Sequence, residues 1–490
     1  MLGWRTPATL LLLALLVAPA VLSINALAKT YPEQVSGDVI KIGMTISLSG
    51  KYQHEGMQAL CGIQAAIDYF NDKGGIDVGG KKYKLQLIYY DDQSKKDLIN
   101  SLYTQLVTSD GAMFLLAPYS SGLTLAAAPI SQQYKRIMIS HGGASDKIFQ
   151  QGYQYMVQIL TPASKYFKTT LELIKEKDPQ AKIAFIYENA AFAKAVMGGA
   201  KAYAKELGLN VVYENTYEPK STDFSSIIAE AKSSGAEVLI GGGHYEDGFQ
   251  LVKQAYELGW KLKFISILVA VTHESFYKDL GPSIAENVAG PSQWEPMASY
   301  TPEAAKKAGK EWFGPTKEEW LSYFNKHCEG TPAYQAAEAG AAIVFLVKAI
   351  QEAGSLDTDA VRQAMNNLDI MTFFGPLKID PKTGLQVGHP MVLLQWQNGE
   401  KQIIYPESAA TADPVYPAPN WWKAAEATEK TTTTTEEKTT GKPAGEATTI
   451  TTSGPAEETA TTEEGGNQLL IAGIIIIILI IAAAALFMRR

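Results

Sequence analysis

Between Val39 and Ile404 the chain alternates two hydrophobic rhythms. Short apolar or β-branched runs have the length and content of buried strands: VIKIGMTIS, KLQLIYYDD, AMFLLA, RIMIS, KIAFIYE, NVVYENTY, EVLIGG and KFISIL. Most are separated by about 12–18 residues with helical spacing, as the crossovers between parallel strands require. After the first run, Leu60, Ile63, Ile67 and Phe70 fall on one helical face, and Asn71-Asp72-Lys73-Gly74-Gly75 stops that helix. A second helix is predicted over Leu98 to Val107. The pattern is that of an α/β protein.

One stretch recurs. Ser109-Asp110-Gly111-Ala112-Met113-Phe114-Leu115-Leu116 matches Ser233-Ser234-Gly235-Ala236-Glu237-Val238-Leu239-Ile240, 124 residues later. Each reads as a helix end, a Gly-Ala turn and a buried strand. Common αβ loops look alike by chance; the alternative is two lobes of one architecture. The loops after the matched strands, 117–121 and 241–245, are then counterparts. Ligands sit beyond the carboxyl ends of strands in open α/β sheets, so two facing lobes make a cleft there.

The ends depart from this pattern. Residues 1–28 read as a secretory signal: Arg5, an apolar stretch from Leu10 to Leu22, and Ala26-Leu27-Ala28 as a small-x-small cleavage site. An uncleaved anchor is the alternative. At the other end an apolar run from Leu469 to Met488 follows Gln468 and precedes Arg489-Arg490. A helix over that run spans about 30 Å, enough for a bilayer's hydrocarbon core. The positive-inside rule puts the two arginines in the cytoplasm and the body outside. Residues 468–488 are thus an expected anchor. Residues 420–467, rich in Thr, Glu, Gly and Pro, are an expected extended stalk, and 29–419 the folded body.

Composition narrows the function classes. Of 490 residues, 46% are hydrophobic and 19% charged, with net charge −8. Without the arginines of the terminal apolar segments, 40 basic residues face 51 acidic ones. That balance argues against a nucleic-acid partner. The two cysteines, Cys61 and Cys328, rule out Cys-based zinc modules and leave room for one disulfide. The chain has no G-x-S-x-G elbow, no H-E-x-x-H and no Walker loop, so no enzyme motif is recognised. His54, His141 and His244 follow expected strands without the spacing of metal ligands, and no metal or other cofactor is expected. The loop Pro118-Tyr119-Ser120-Ser121-Gly122-Leu123-Thr124 precedes a helix expected to begin near Leu123. Its hydroxyls and the helix N-terminus suit a carboxylate, and N-capping by Ser120 or Ser121 suits it equally.

With these residues in view, the chain resembles the extracellular solute-binding proteins of branched-chain amino-acid ABC transporters, over Val39 to about Tyr405. The resemblance rests on Ser47-Leu48-Ser49-Gly50 with Gly56, Asn71-Asp72-Lys73-Gly74-Gly75-Ile76 and Tyr90-Asp91-Asp92. It continues through Ser120-Ser121, Ile139-Ser140 leading to Ser145-Asp146-Lys147, and Phe374-Gly375-Pro376-Leu377. It implies two Rossmann-like parallel-sheet lobes joined by three crossovers, the type 1 periplasmic-binding fold. The first lobe would hold about 38–158 and 292–370, the second about 159–291 and 371–405. It also implies a solute carboxylate meeting Ser121 and the loop Gly142, Gly143, Ala144 and Ser145, where Ala144 takes the place of the family's usual threonine.

Three further positions depart from the family. An aromatic lining the pocket falls on Phe192 and lacks the hydroxyl. The second-lobe tyrosine falls on Gly243, beside His244 and Tyr245. The acid that grips an amino group falls near Leu268. An ammonium buried without a carboxylate is costly, so Glu55, Glu246 or Asp247 must replace that acid if the solute is an amino acid. Ser120, Thr124 and His54 complete the expected ligand-binding set. The expected function is capture of a small amino acid, or a related carboxylate or amide, by lobe closure, and delivery to an ABC permease. The expected protein is a monomeric ectodomain at the cell surface, tethered in a way that resembles archaeal binding proteins. A receptor ectodomain, a secreted α/β enzyme, and a urea, amide or aromatic-acid binder of the same family are the alternatives. Only Arg489-Arg490 follow the anchor, where a receptor would carry an output domain.

Overall fold

The computed structural model describes residues 28–419 and Trp421. The expected signal peptide up to Leu27, the stalk apart from Trp421, and the anchor lie outside the described residues. Among the described residues no single helix is long and apolar enough to cross a membrane.

Two sheets carry the fold. The first contains β1 (Lys29–Tyr31), β2 (Val39–Ile46), β3 (Ile76–Val78), β4 (Lys81–Asp91), β5 (Phe114–Leu116), β6 (Met138–Ser140) and β7 (Met156–Gln158). Its order is β1-β4-β2-β5-β6-β7, with β3 hairpinned onto β4. All pairs from β4 to β7 are parallel, and β2 runs beside β4 from Val39↔Lys84 to Ile46↔Asp91. The second sheet contains β8 (Lys182–Glu188), β9 (Asn210–Tyr217), β10 (Val238–Gly242), β11 (Phe264–Ile267) and β12 (Ala289–Ser292). These are parallel in the order β9-β8-β10-β11-β12. Two late strands, β16 (Val392–Gln397) and β17 (Glu400–Tyr405), extend it antiparallel from β12. A small third sheet joins β13 (Glu311–Trp312), β14 (Asp369–Thr372) and β15 (Gly375–Lys378).

The repeated stretch contains β5 and most of β10, which hold equivalent places beside the first strand of each lobe. Each sheet reverses its winding there, between β2 and β5 and between β8 and β10. The loops after these strands therefore leave a crevice at the carboxyl edge. The chain passes between lobes three times: after Gln158, after Ser292, and between Ile379 and Val392. The hairpin β14–β15 packs in the first lobe, with Phe373, Phe374 and Leu377 in its core, so the last passage falls beyond 371. The crossovers are bonded to one another. Thr161 N–H donates to Gln293 Oε1 at 3.0 Å, the Thr161 hydroxyl to His389 O at 2.9 Å, and Gln386 Nε2 to Ile159 O at 2.9 Å.

Packing in the first lobe centres on two long helices, Gln53–Asp72 and Tyr334–Ala353. They approach closely because Gly62 has no side chain; a Cβ there would lie 1.9 Å from Ala336 O. One residue away, Cys61 pairs with Cys328 across a Cα separation of 6.1 Å. The second lobe has cores on both faces of its sheet. One of them reaches past the expected boundary at Pro419. Trp421 is 2% exposed, and its ring lies 5.5 Å from that of Tyr256. A chain spanning Ala28 to Trp421 is expected to unfold cooperatively on its own. Ending it at Pro419 is expected to cost about 3 kcal/mol, the scale for losing a buried Trp. Denaturant midpoints of the two chains check this, and equal midpoints would make Trp421 a bystander.

Candidate functional site

Loops from the carboxyl edges of both sheets meet across the crevice. Residues 47–52 follow β2, 117–120 follow β5 and 141–145 follow β6; opposite them stand 189–190 after β8, 243–244 after β10 and 268–269 after β11. The two edges touch. Lys51 Nζ pairs with Glu188, and stands 3.4 Å from Asp247 Oδ1. Burial opposes the Lys51 charge, but Asp247 and Glu188 outweigh it and hold its pKa above the ordinary value. Deeper in, the Tyr245 N–H donates to Glu55 Oε1 at 3.2 Å. The cleft is closed, and the groups facing it are buried.

The first-lobe loops make an oxygen-binding half. The helix after β5 begins at Ser121, and no side chain caps it. Ser120 Oγ is buried without a hydrogen-bond partner, so this serine is not a cap. Ser121 Oγ accepts the Ser145 N–H at 3.0 Å, which leaves its own hydroxyl proton free to donate. Ser145 Oγ is also buried and unpartnered. Thr124, expected as a third donor, is committed to the loop: its hydroxyl donates to Pro118 O at 2.8 Å. The Gly143 N–H is likewise held, by Ser140 Oγ at 3.1 Å. Gly142 and Gly143 pass so close to the Tyr119 loop that Cβ atoms would lie 2.5 Å from Tyr119 Cδ2 and 2.4 Å from Thr124 Oγ1. Their part is to bring the two loops together. Ala144 is buried beside them.

Three acids were candidates to replace the one lost near Leu268, and their settings differ. Leu268 is buried in the apolar core that also holds Tyr166 and Phe192. Glu246 is exposed and sits 3.4 Å from His54 at the rim. Asp247 accepts the Tyr217 hydroxyl and the His244 N–H, and neighbours Lys51. Glu55 alone of the three has a buried oxygen, Oε2, with no partner. Burial pushes its pKa up to about 8, against the Tyr245 N–H, which favours the ionised form. His244 Nδ1 stands 3.8 Å from Glu55 Oε1, but burial and then Lys51 push the imidazole well below its ordinary pKa, so it is neutral. Gly243 explains the missing second-lobe tyrosine: a Cβ there would lie 2.4 Å from Asp247 Oδ2 and 2.8 Å from Glu188 Cβ.

Aromatic rings enclose this space. His244 lies 4.6 Å from Tyr52, 5.2 Å from Phe192 and 5.6 Å from Tyr119 between ring centres. Tyr166 lies 5.4 Å from Phe192. His54 is outside it. Its ring stacks on Tyr245 at 4.0 Å and lines an open cavity of about 440 Å³ with His273, Glu274 and Lys278. His141 is fully buried, and burial pushes its pKa down to about 4. No metal-ligating group of His, Cys, Asp and Glu forms among the described residues. Sequence reasoning missed Lys51, Tyr52, Tyr119 and Tyr166. Tyr119 lies within a loop already singled out and Tyr52 neighbours another; Tyr166 carries no local signal, because it comes from beyond the first crossover.

Relatives share this architecture. The chain is 25% identical over 388 residues to Leu/Ile/Val-binding protein homolog 7 of Brucella abortus, covering 76% of this chain and 93% of the relative. Homolog 8 of the same organism is 26% identical over 403 residues, with 79% and 95% covered. Among solved structures, the branched-chain amino-acid transporter substrate-binding protein of Streptococcus pneumoniae, in complex with isoleucine, superimposes with a TM-score of 0.64. Its identity is 22%, over 75% of this chain and 100% of that one. A solute-binding protein of an ABC transporter from R. palustris, in complex with 4-hydroxybenzoate, gives 0.65 at 20% identity, over 77% and 98%. Residues 39–401 match the family described as periplasmic binding protein. With that match spanning most of the chain, and with two parallel-sheet lobes crossing three times around a shared cleft, this chain belongs to the periplasmic binding protein family.

Proposed function

We propose that the protein is the extracellular solute-binding component of an ABC importer, taking up a small amino acid by closure of its lobes. The observation that carries this reading is the pairing of two unsatisfied halves in one buried cleft. Ser120, Ser121 and Ser145 offer hydroxyls beside a helix N-terminus, which suits a carboxylate. Glu55 offers a free carboxyl oxygen, which suits an ammonium. Buried polar groups are normally paired, so a zwitterion completes what the protein leaves open. The apolar run 469–488 tethers the body outside the membrane, and the Thr- and Glu-rich segment before it gives the body reach toward a permease. A second reading, an aromatic acid, is favoured by the rings of Tyr52, Tyr119, Phe192 and His244 and by the 4-hydroxybenzoate bound in the R. palustris protein. Calorimetry with amino acids against benzoates decides between them. Benzoates binding while every amino acid fails would overturn the first reading.

Ser121→Ala is expected to weaken the solute by roughly 1–3 kcal/mol, since it removes a donor to a carboxylate and strands the Ser145 N–H. Unchanged affinity by calorimetry would make Ser121 part of the loop alone.

Affinity for an ammonium solute is expected to rise with pH up to about 8 and to level off above it. Glu55, raised to about 8 in the empty closed cleft, is protonated at neutral pH, and the solute's positive charge must displace that proton. Lys51, Asp247, His244 and Tyr245 face the same carboxyl, so Glu55→Gln supplies the control: its affinity is lower and its profile flat over that range. Profiles of equal slope in both proteins would place the ammonium elsewhere.

A further inference from the structure

Gln335 and Glu338 stand one turn apart near the start of the helix Tyr334–Ala353. Around them that helix is Ala, Gly and large aliphatic residues packed in the first lobe's core. Both side chains are fully buried. Neither carboxyl oxygen of Glu338 has a hydrogen-bond partner, and the Gln335 amide stands beside the Tyr119 hydroxyl. A buried carboxyl with both oxygens unpaired is unusual, because a buried polar group without a partner is costly and a helix core can use an apolar residue instead. Burial, and then the nearby Glu338, push up the pKa of the Tyr166 hydroxyl. At Tyr119 burial acts first, then Glu55, then Glu338. Tyr119 is therefore near both acids, and it immediately precedes Ser120. Its ring is also 5.8 Å from Tyr52 on the seam between lobes. The Gln335–Glu338 pair thus stands beside the Tyr119-Ser120 loop that borders the cleft.

We propose that Gln335 and Glu338 form a second polar subsite, which receives the side chain of an amino acid ending in N–H donors, an ammonium or a carboxamide. This rests on the amino-acid reading above. Glu338 offers two acceptor oxygens and Gln335 one more, beside an amide group with two N–H donors. An ammonium brings three donors and a carboxamide brings two donors and an acceptor, so either fills most of the set. A branched aliphatic chain fills none of it and leaves the Glu338 carboxyl dry and unpaired. A site built to hydrogen-bond its solute rejects the analogue that lacks the bonding group far more strongly than an apolar pocket rejects a misfit.

The test is calorimetry on the full-length protein with lysine, ornithine, glutamine, leucine, isoleucine and 4-hydroxybenzoate. Lysine and ornithine, or glutamine, are expected to bind roughly 100-fold or more tighter than leucine and isoleucine. Glu338→Gln is expected to cost lysine roughly tenfold or more and to leave glutamine within a few-fold, which separates an ammonium from a carboxamide. Leucine binding as tightly as the polar amino acids overturns the subsite while leaving the amino-acid reading intact. Polar amino acids preferred, but equally well in wild type, Glu338→Gln and Gln335→Leu, also overturn it. If 4-hydroxybenzoate binds and no amino acid does, or if none of the panel binds, the amino-acid reading falls and the subsite with it. The wild-type panel decides even where a variant fails to fold, because leucine and lysine are compared on one protein.

Discussion

Closing the lobes takes the Glu55 carboxyl out of water at a point where only one of its oxygens finds a partner, the Tyr245 N–H of the opposite lobe. The rest of the site is arranged around that imbalance. Lys51, the cation nearest the seam, is engaged by Glu188 and Asp247 and does not neutralise Glu55. His244, the other nitrogen base at hand, is held neutral by burial. An empty closed cleft therefore carries a penalty that a positively charged group would remove. A ligand moves such an equilibrium only through contacts it makes better in one state than in the other. In the amino-acid reading proposed above, the unpaired oxygen of Glu55 is one such contact, and the serine hydroxyls are its counterpart for the other end of the solute.

The hinge lets this happen without disturbing either core. Thr161, Gln293, Gln386 and His389 join the three crossovers through side-chain and backbone hydrogen bonds. Each sheet stays whole on its own side of that network. Rings of Tyr52, Tyr119, Phe192 and His244 then exclude water from the space between, which strengthens every charge interaction inside it. The same fold holds isoleucine in one relative and 4-hydroxybenzoate in another. Selectivity resides in the few side chains that line the cleft, not in the scaffold.

Much of this scaffold was legible in the sequence. The apolar runs mark β2, β4, β5, β6, β8, β10 and β11, because strands buried on both faces read as nearly continuous hydrophobic stretches; β9, an edge strand exposed along most of its length, is marked instead by its β-branched and aromatic residues. The repeat at Ser109 and Ser233 marks equivalent strands of the two sheets. Strands such as β1, β3 and β13 are too short and polar to announce themselves; they form because a neighbouring strand offers an edge. Trp421 was hidden for a similar reason, as one buried ring beyond a Pro-rich segment makes no period. At the site, the Ser120-Ser121 loop could be singled out from local pattern, and Glu55 only through the family resemblance. Whether a hydroxyl is free could not, since Thr124 is held by a carbonyl six residues back and His54 turns outward to stack on Tyr245 of the other lobe. Gln335 and Glu338 did leave a trace: two long polar residues in the apolar first half of their helix. Only the fold shows that no partner was provided for the Glu338 carboxyl.

The Cys61–Cys328 bond acquires a further meaning from where it lies. Cys61 belongs to the helix Gln53–Asp72, and Cys328 packs against the core of the same lobe. The covalent rivet is thus set within one jaw, although the loop it closes contains the first two of the three crossovers. It stiffens the platform from which Lys51, Tyr52 and Glu55 project at the head of that helix, while the travel of the other jaw is left to the hydrogen bonds of the hinge. Such a bond persists where thiols are not kept reduced. The rigidity of the gripping surface is therefore tied to the chemistry of the surroundings, whereas the grip itself is not.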